Sequence, residues 1–462
     1  MRIETGRPIE ASLFGFPDEA GFPPVVAIAT HSAQIRPGDL FVALNGEKTD
    51  GAAFIGEAIS RGAALVLSSR EENDPRVLAV PDPLAALTEA ARVYARSIPH
   101  KTAAITGSYG KTTLRTALTS ILSPAIPLAR TEGNGNTDLA LALTLLSMKP
   151  DVSLLLCELG MRGRGEIARL SRLVLPDLAV ITAVGTAHVG RLGSLDAIRE
   201  AKCEIAHGMT PNGTLLYPAA DKELEKRIRR LNVRGESVST DPAFPGDYTL
   251  KRIGECDGRA LVSLSSPFGK RFCVLLPDAS NATVTTAAFA FAVCEKLGID
   301  RALTRKGLSS FQPPPLRREV RVIRGVRVVL DCYNASPEPT LAALDDLEKI
   351  GKTTRIFLVL GEMLELGDAS PSLHRAVGRR AAKIPLARLY TVGELAKEYA
   401  VGAVDAGLPS ALIQSFGTDE LTDLAAVLKS ETKPNDVVFV KGSRALSLER
   451  LIPLLTEGDR DK

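Results

Sequence analysis

Tryptophan is absent from the 462-residue chain, and aromatic residues make up only 5% of it. Few rings are available to stack on unpaired bases, which argues against a single-strand nucleic-acid binder. A charge excess is also missing: Lys+Arg 57 against Asp+Glu 54 gives a formal net charge of +3. That balance does not describe a basic nucleic-acid-binding surface. Cysteines stand at 157, 203, 256, 273, 294 and 332 with no CxxC pair. Their spacing fits neither a disulfide framework nor a zinc site, and reads as reduced, mostly buried thiols. No apolar run approaches the ~18 residues of a membrane span. The opening MRIETGRPIEASLFG has no apolar core of the secretory-signal kind. The expectation is a cytoplasmic protein with no membrane span and no nucleic-acid partner.

Hydrophobic residues at 45% and charged residues at 24% are those of a globular protein. At about 150 residues per domain the length predicts roughly three domains. Two segments read as joints. Ser97-Ile98-Pro99-His100-Lys101 ends a helical pattern, and Pro313-Pro314-Pro315 can neither continue a helix nor donate to a strand ladder. They divide the chain into 1–99, 100–312 and 313–462.

The first segment reads as a small α/β module. Pro37-Gly38 is a turn before a strand from Asp39, Phe54 to Gly62 is helical, and Ala63 to Leu67 is a buried strand. The middle segment alternates buried strands, Leu154–Cys157 and Leu178–Ile181 among them, with helical stretches. The last segment repeats that order, with strands at Val326–Leu330, Ile356–Leu360, Leu389–Val392 and Val437–Val440. This is a doubly wound α/β pattern, and ligands of such sheets sit beyond the carboxyl ends of the strands.

The sharpest local signal is Ile105-Thr106-Gly107-Ser108-Tyr109-Gly110-Lys111-Thr112-Thr113, between a strand and a helix. Glycines let backbone N–H groups turn toward an anion, and the helix N-terminus adds its dipole. Lys111 can reach terminal phosphates and the Thr112 hydroxyl can bind Mg²⁺. The loop is shorter than the usual G-x-x-x-x-G-K-[ST], since position 105 is Ile. Further oxygen ligands would be needed for the metal. Glu158 ends the next strand, where a lone carboxylate is expensive unless paired or metal-bound. His188 follows the strand ending at Thr182, and Lys202 lies on an amphipathic helix. Singly, a residue such as His188 is more often a satisfied loop histidine, and one such as Lys202 a solvated helix charge.

Together these stretches resemble the Mur ligase family, ATP-dependent amide-forming enzymes of peptidoglycan synthesis. Gly107–Thr113 is similar to the family's phosphate loop, and Gly133-Asn134-Gly135-Asn136 to its GNxN motif. Glu158, the Thr182…His188 loop and Ala201-Lys202-Cys203-Glu204 follow in the family's order. In the last segment, Asp331-Cys332-Tyr333-Asn334-Ala335-Ser336-Pro337, Gly361-Glu362-Met363-Leu364-Glu365-Leu366-Gly367 with His374, and Val440-Lys441-Gly442-Ser443-Arg444 resemble the member that joins D-alanyl-D-alanine to UDP-N-acetylmuramoyl-tripeptide. The resemblance runs from about residue 30 to about 455.

The resemblance implies three domains: an N-terminal nucleotide-sugar module, a central P-loop parallel-sheet ATPase and a C-terminal Rossmann-like domain. It implies that Gly107, Ser108, Gly110, Lys111, Thr112 and Thr113 hold ATP, with Lys111 on the β/γ-phosphates. Asn134, Asn136, Asn281, Asp331, Tyr333 and Asn334 would complete the nucleotide site. Thr112 and Glu158 would bind one Mg²⁺, and Glu158, His188 and Lys202, the lysine carbamylated, a second. Lys441, Ser443 and Arg444, with the Met363–Gly367 loop, would seat the dipeptide and Ser32 the nucleotide sugar, in a monomeric enzyme. Some positions depart from the family. His31-Ser32-Ala33 keeps only the serine of D-S-R, Thr137 and Ala140 differ near GNxN, Pro218 replaces the Asn of N-A-D-D, and Val284 replaces an Asn that would face adenine. Two other outcomes stay open: a Mur-type ligase with a different acceptor or amino acid, and a non-catalytic nucleotide-binding scaffold descended from one.

Overall fold

A computed structural model describes residues 1–457 apart from 19–20, 47–48, 134 and 352. Three sheets follow one another along the chain. The first orders its strands Arg2–Ile9, Val25–Ala29, Asp39–Val42, Leu65–Ser68, Val77–Ala79. Only the first pair is antiparallel. Arg2 crosses to the wholly buried Asp39 with Nε and Nη2 at 2.7 and 3.0 Å, so the carboxylate is compensated inside the sheet.

The second sheet has nine strands. Lys101–Thr106 lies third from one edge, flanked by Leu154–Glu158 on one side and Leu178–Ile181 on the other, all parallel. These strands are buried on both faces, which is why they read as continuous apolar runs. Since the chain winds to one side of Lys101–Thr106 and then to the other, a crevice opens beyond its carboxyl end. The far edge differs from the parallel pattern expected of the middle segment. Tyr248–Cys256, Arg259–Ser266 and Gly269–Leu275 form an antiparallel meander. Asp257-Gly258, at φ 49 and 70°, makes its first tight turn, the conformation that suits a two-residue hairpin.

The third sheet has six strands in the order Glu319–Ile323, Val326–Asp331, Val437–Lys441, Ile356–Gly361, Leu386–Val392, Ile413–Phe416, antiparallel only at the first pair. It carries its own apolar clusters on its two faces. In contrast, one continuous core joins the first sheet to the middle segment, running from Ile28, Leu40 and Tyr94 to Leu141, Leu145 and Leu170. No helix among the described residues is long and apolar enough to cross a membrane.

The helix Leu195–Cys203, which carries Lys202, is positioned by a small polar knot. Ser194 caps it by accepting from Ala197 N at 3.1 Å. Just beyond, the fully buried Ser171 donates to Ile205 O at 2.5 Å and accepts from Gly208 N at 3.1 Å. Gly208 permits this approach, since a Cβ there would meet Ser171 O at 2.1 Å. Ser171→Ala strands a buried N–H and a carbonyl. It should lower stability by about 1–3 kcal/mol, read as an earlier midpoint in urea unfolding with an unchanged slope.

Candidate active site

The phosphate loop leaves the strand Lys101–Thr106 and enters the helix Lys111–Leu122. Gly107 has φ 148° and Gly110 φ 83°, conformations that side chains rarely adopt. A Cβ on Gly107 would meet Thr182 Oγ1 at 2.1 Å, so the loop closes tightly on the neighbouring strand end. Thr182 Oγ1 donates to Tyr109 O at 2.5 Å, and Ser108 Oγ to Gly185 O at 3.1 Å. Gly110 offers no side-chain cap, which leaves the first N–H groups of the helix, Thr113 included, to an anion. Lys111 folds back with Nζ 2.7 Å from Gly107 O. Burial depresses its pKa to about 8, against the pull of Glu158 and with Arg317 adding to the depression.

Glu158 ends the strand beside the loop, paired in register with Ile105. It is 4% exposed. Its Oε2 accepts from Thr112 Oγ1 at 3.1 Å, and its Oε1 lies 2.8 Å from Arg115 Nε. That ion pair is not aligned as a hydrogen bond, and Oε1 remains without a hydrogen-bond partner. Arg115 also donates to Thr131 Oγ1 and Gly133 O, at 3.3 and 3.0 Å, tying the Gly133–Asn136 loop to the phosphate-loop helix. Asn136 packs over Gly160, where a Cβ would meet its Nδ2 at 2.4 Å. Asn134 lies outside the described residues.

His188 adopts φ 70°, uncommon for a residue other than glycine. Its Nδ1 is 2.5 Å from Glu365 Oε2, again without an aligned hydrogen bond. Its pKa is lowered by burial and by the nearby charges of Lys202 and Lys111, against Glu365. Lys202 is 1% exposed. Burial, then Lys111, push its pKa well below the usual lysine range. Among the described residues no ion pair balances it.

These features test the fit of a divalent cation. A buried carboxylate oxygen lacks a hydrogen-bond partner, a hydroxyl faces the same carboxylate, an imidazole whose Nδ1 lies against Glu365 leaves Nε2 for a ligand, and a buried amine makes no ion pair among the described residues. Oxygen and imidazole donors with a lysine carbamate suit such an ion. The bare residues present no cluster of three His, Cys, Asp or Glu among the described residues. A further anionic donor, a carbamate on Lys202 or a substrate oxygen, would complete such a site beside Glu158.

The last segment closes on this site. After the three prolines, Leu316 and Arg318 both sit at left-handed φ, 61 and 60°. Between them Arg317 reaches Thr112 Oγ1 with Nη2 at 3.2 Å and stacks over the Tyr333 ring at 4.4 Å. Asp331 pairs with the buried Lys441, 2.7 Å from Nζ. Asn334 turns its Oδ1 back to Ala335 N, and Ser443 Oγ accepts from Leu364 N, holding the Met363–Gly367 loop with His374, which accepts from Met363 N. Arg444 pairs with Glu449 at 2.6 Å. Asn281 starts the helix Asn281–Leu297, and its N–H donates to Asp346 of the last segment. It lines a cavity of about 390 Å³ with Thr240, Arg252, Val284, Thr285 and Lys349. Ser32 stands apart in the first sheet's unit, donating to Glu57 at 2.7 Å.

Sequence reasoning missed Arg115, Arg317 and Asp346, and had Glu365 only within a loop expected to seat the dipeptide, not against His188. A strand–glycine loop–helix beside an acidic strand end, with basic side chains converging on it, defines a phosphate-loop protein of three α/β units. Three family descriptions match it in order: the Mur ligase family catalytic domain over residues 24–104, the Mur ligase middle domain over 105–288, and the Mur ligase glutamate ligase domain over 317–444. The chain belongs to the Mur ligase family. It is 31% identical to the UDP-N-acetylmuramoyl-tripeptide–D-alanyl-D-alanine ligase of Bacillus subtilis, over 93% of each chain. It is 29% identical to the ligase of that name from Escherichia coli, over 93% of this chain and 94% of the relative. A crystal structure of MurF from Acinetobacter baumannii superposes with a TM-score of 0.87 at 29% identity, covering 98% of this chain and all of that one. The MurF ligase of Thermotoga maritima in complex with ADP gives 0.84 at 29% identity, covering 93% and 97%.

Arg115 and Glu158 are 9% and 6% exposed at their side chains. Arg115→Ala leaves Glu158 buried without its cation and unties the 131–136 loop. A loss of about 3–5 kcal/mol is expected in denaturant unfolding.

Proposed function

We propose that this chain joins D-alanyl-D-alanine to UDP-N-acetylmuramoyl-tripeptide at the expense of ATP, a step of peptidoglycan precursor synthesis. The observation that carries the reading is the convergence of Lys111, Glu158, His188 and Lys202 on one phosphate loop, in a chain similar over its length to ligases of that name. Residues 1–99 would hold the nucleotide sugar, near Ser32; 100–312, ATP; and 313–462, the incoming dipeptide, near Lys441, Ser443 and Arg444. The whole site is drawn from one chain, which fits a monomer. ATP use and six unpaired cysteines fit the cytoplasm.

The chemistry is amide synthesis through an acyl phosphate. A carboxylate oxygen of the tripeptide attacks the γ-phosphorus, the bond to the β-phosphate oxygen breaks, and ADP leaves. The dipeptide amine then attacks the acyl carbon, loses a proton, and inorganic phosphate departs. Phosphoryl transfer between anions needs positioning and charge neutralisation. Lys111 and the N–H groups of the helix start cradle the β- and γ-phosphates. Arg317, aimed by its two left-handed neighbours, adds a guanidinium beside Thr112. Asn136 and Asn281 flank the nucleotide, and Asp331, Tyr333 and Asn334 bring the last segment against it.

Thr112 and Glu158 would hold one Mg²⁺, and Glu158, His188 and carbamylated Lys202 a second. Bound there, the metal would supply positive charge between polyphosphate and carboxylate. Burial pushes the Lys202 amine toward its neutral form, the form that adds CO₂ and releases a proton to give a carbamate.

The test is ADP release with ATP, the UDP-linked tripeptide and D-alanyl-D-alanine, each omitted in turn. Turnover requiring all three is expected; nucleotide binding without acceptor-dependent turnover would overturn the proposal. Lys111→Ala should lower kcat at least about 10²-fold, the size of a lost transition-state charge contact. The pH dependence follows from Lys111, whose pKa near 8 in the free protein must rise when polyphosphate binds. ATP binding therefore takes up a proton above that pH. Its Kd should climb by up to about tenfold per pH unit above pH 8, as read by calorimetry in buffers of different ionisation enthalpy.

A further inference from the structure

We propose that Glu365 is the positioning residue for His188, so that seating of the third unit on the second sets the orientation of a group in the phosphate-loop site. The proposal rests on the reading of His188 as a metal ligand. Glu365 belongs to the loop after the strand Ile356–Gly361, and no part of the phosphorylation machinery described above uses it. Its Oε2 lies 2.5 Å from His188 Nδ1, and its Oε1 lies 3.9 Å from Arg191. Its backbone O accepts from Gly190 N at 3.2 Å, so main chain and side chain grip the same short turn.

The grip needs two glycines. A Cβ on Gly190 would meet Gly367 N at 2.6 Å, and one on Gly367 would meet Gly190 Cα at 2.8 Å. The loop that presents Glu365 is itself fixed. Met363 and Leu366 are buried, and His374 and Ser443 accept from its backbone N–H groups.

Stability does not explain this arrangement. The Glu365 side chain is 42% exposed, and a half-exposed ion pair adds little to folding. Left-handed backbone at two non-glycine residues, 365 and 188, costs more than such a pair returns. Strain held at a contact between units is better explained by aim. A carboxylate against Nδ1 fixes the ring plane and favours the proton on that nitrogen, leaving Nε2 as the lone pair for a ligand. The other titratable groups acting on the ring, Lys202 and Lys111, carry amines and offer no carboxylate to Nδ1. When the third unit moves away, Glu365 leaves with it.

The experiment measures Mn²⁺ affinity of the full chain by electron paramagnetic resonance in the presence of ADP, alongside kcat and KM for ATP. Glu365→Ala should weaken Mn²⁺ binding about 10–100-fold, the usual cost of losing such a partner, and lower kcat while the ADP Kd stays within about twofold. Glu365→Gln keeps an acceptor and should recover most of the affinity. Gly190→Ala, which wedges the two units apart without touching Glu365, should reproduce the loss and guards against a folding defect in the first variant. Mn²⁺ affinity within about twofold of the parent in Glu365→Ala, or no recovery in Glu365→Gln, would overturn the proposal. His188→Ala separates the two readings. If it weakens Mn²⁺ binding while Glu365→Ala does not, only the positioning role falls. If His188→Ala leaves Mn²⁺ affinity unchanged, the metal reading falls and takes the proposal with it.

Discussion

Two amines kept from water in one pocket set the terms for everything around them. Lys111 and Lys202 are desolvated, and the charge of Lys111 adds to the depression of Lys202. Arg115 and Arg317 join them, and among the described residues the buried carboxylate that meets them is Glu158, already shared between Arg115 and Thr112. A site so short of anions is arranged for ligands that bring their own negative charge. In low dielectric each such charge is worth far more than in water. The near-neutral balance of the whole chain hides this, because the excess is local.

The rim of the pocket is where the backbone leaves its ordinary conformations. Gly107 and Gly110 do so without steric cost, whereas His188, Leu316, Arg318 and Glu365 do so as side-chain-bearing residues. All four lie where the third unit meets the second, or one residue from a group that crosses between them. Strain of this kind persists only where surrounding structure over-determines it. Here the surroundings are buried strand ends on one side and the anchored Met363–Gly367 loop on the other.

What the sequence made legible is what local chemistry encodes. The apolar runs at 154–157 and 178–181 became buried parallel strands, and the glycines at 107 and 110 took up the turn that a phosphate loop needs. Glu158 was readable because a carboxylate ending a buried strand demands a partner. The partner itself was not readable. Arg115 looks like any helix arginine until its reach to a residue 43 positions on is seen, and Arg317 meets Thr112 across a separation of 205 residues. No periodicity marks such pairs. The meander at 248–275 was missed although Asp257-Gly258 announced a hairpin, since its strands carry fewer continuous apolar runs. Ser443 and Asn334 were placed by motif on ligand contacts. In the structure their side chains hydrogen-bond the backbone, which motif spacing cannot show.

The continuous core that runs from the first sheet into the middle segment gives the chain a different partition from the one its sheets suggest. Three sheets share two bodies. Leu87, Ala91 and Tyr94 are packed in the same apolar cluster as Leu141 and Leu145, and Tyr94 hydroxyl donates to Met148 O at 2.8 Å. Cutting the chain near residue 100 would tear that core and expose both halves. The third sheet meets its neighbours through Asp346, Glu338, Glu365 and Arg317, with Val189 as an apolar contact. Severing the chain at the prolines would uncover largely polar surface. For anyone dissecting this protein, the natural fragment boundary lies at the second joint and not at the first.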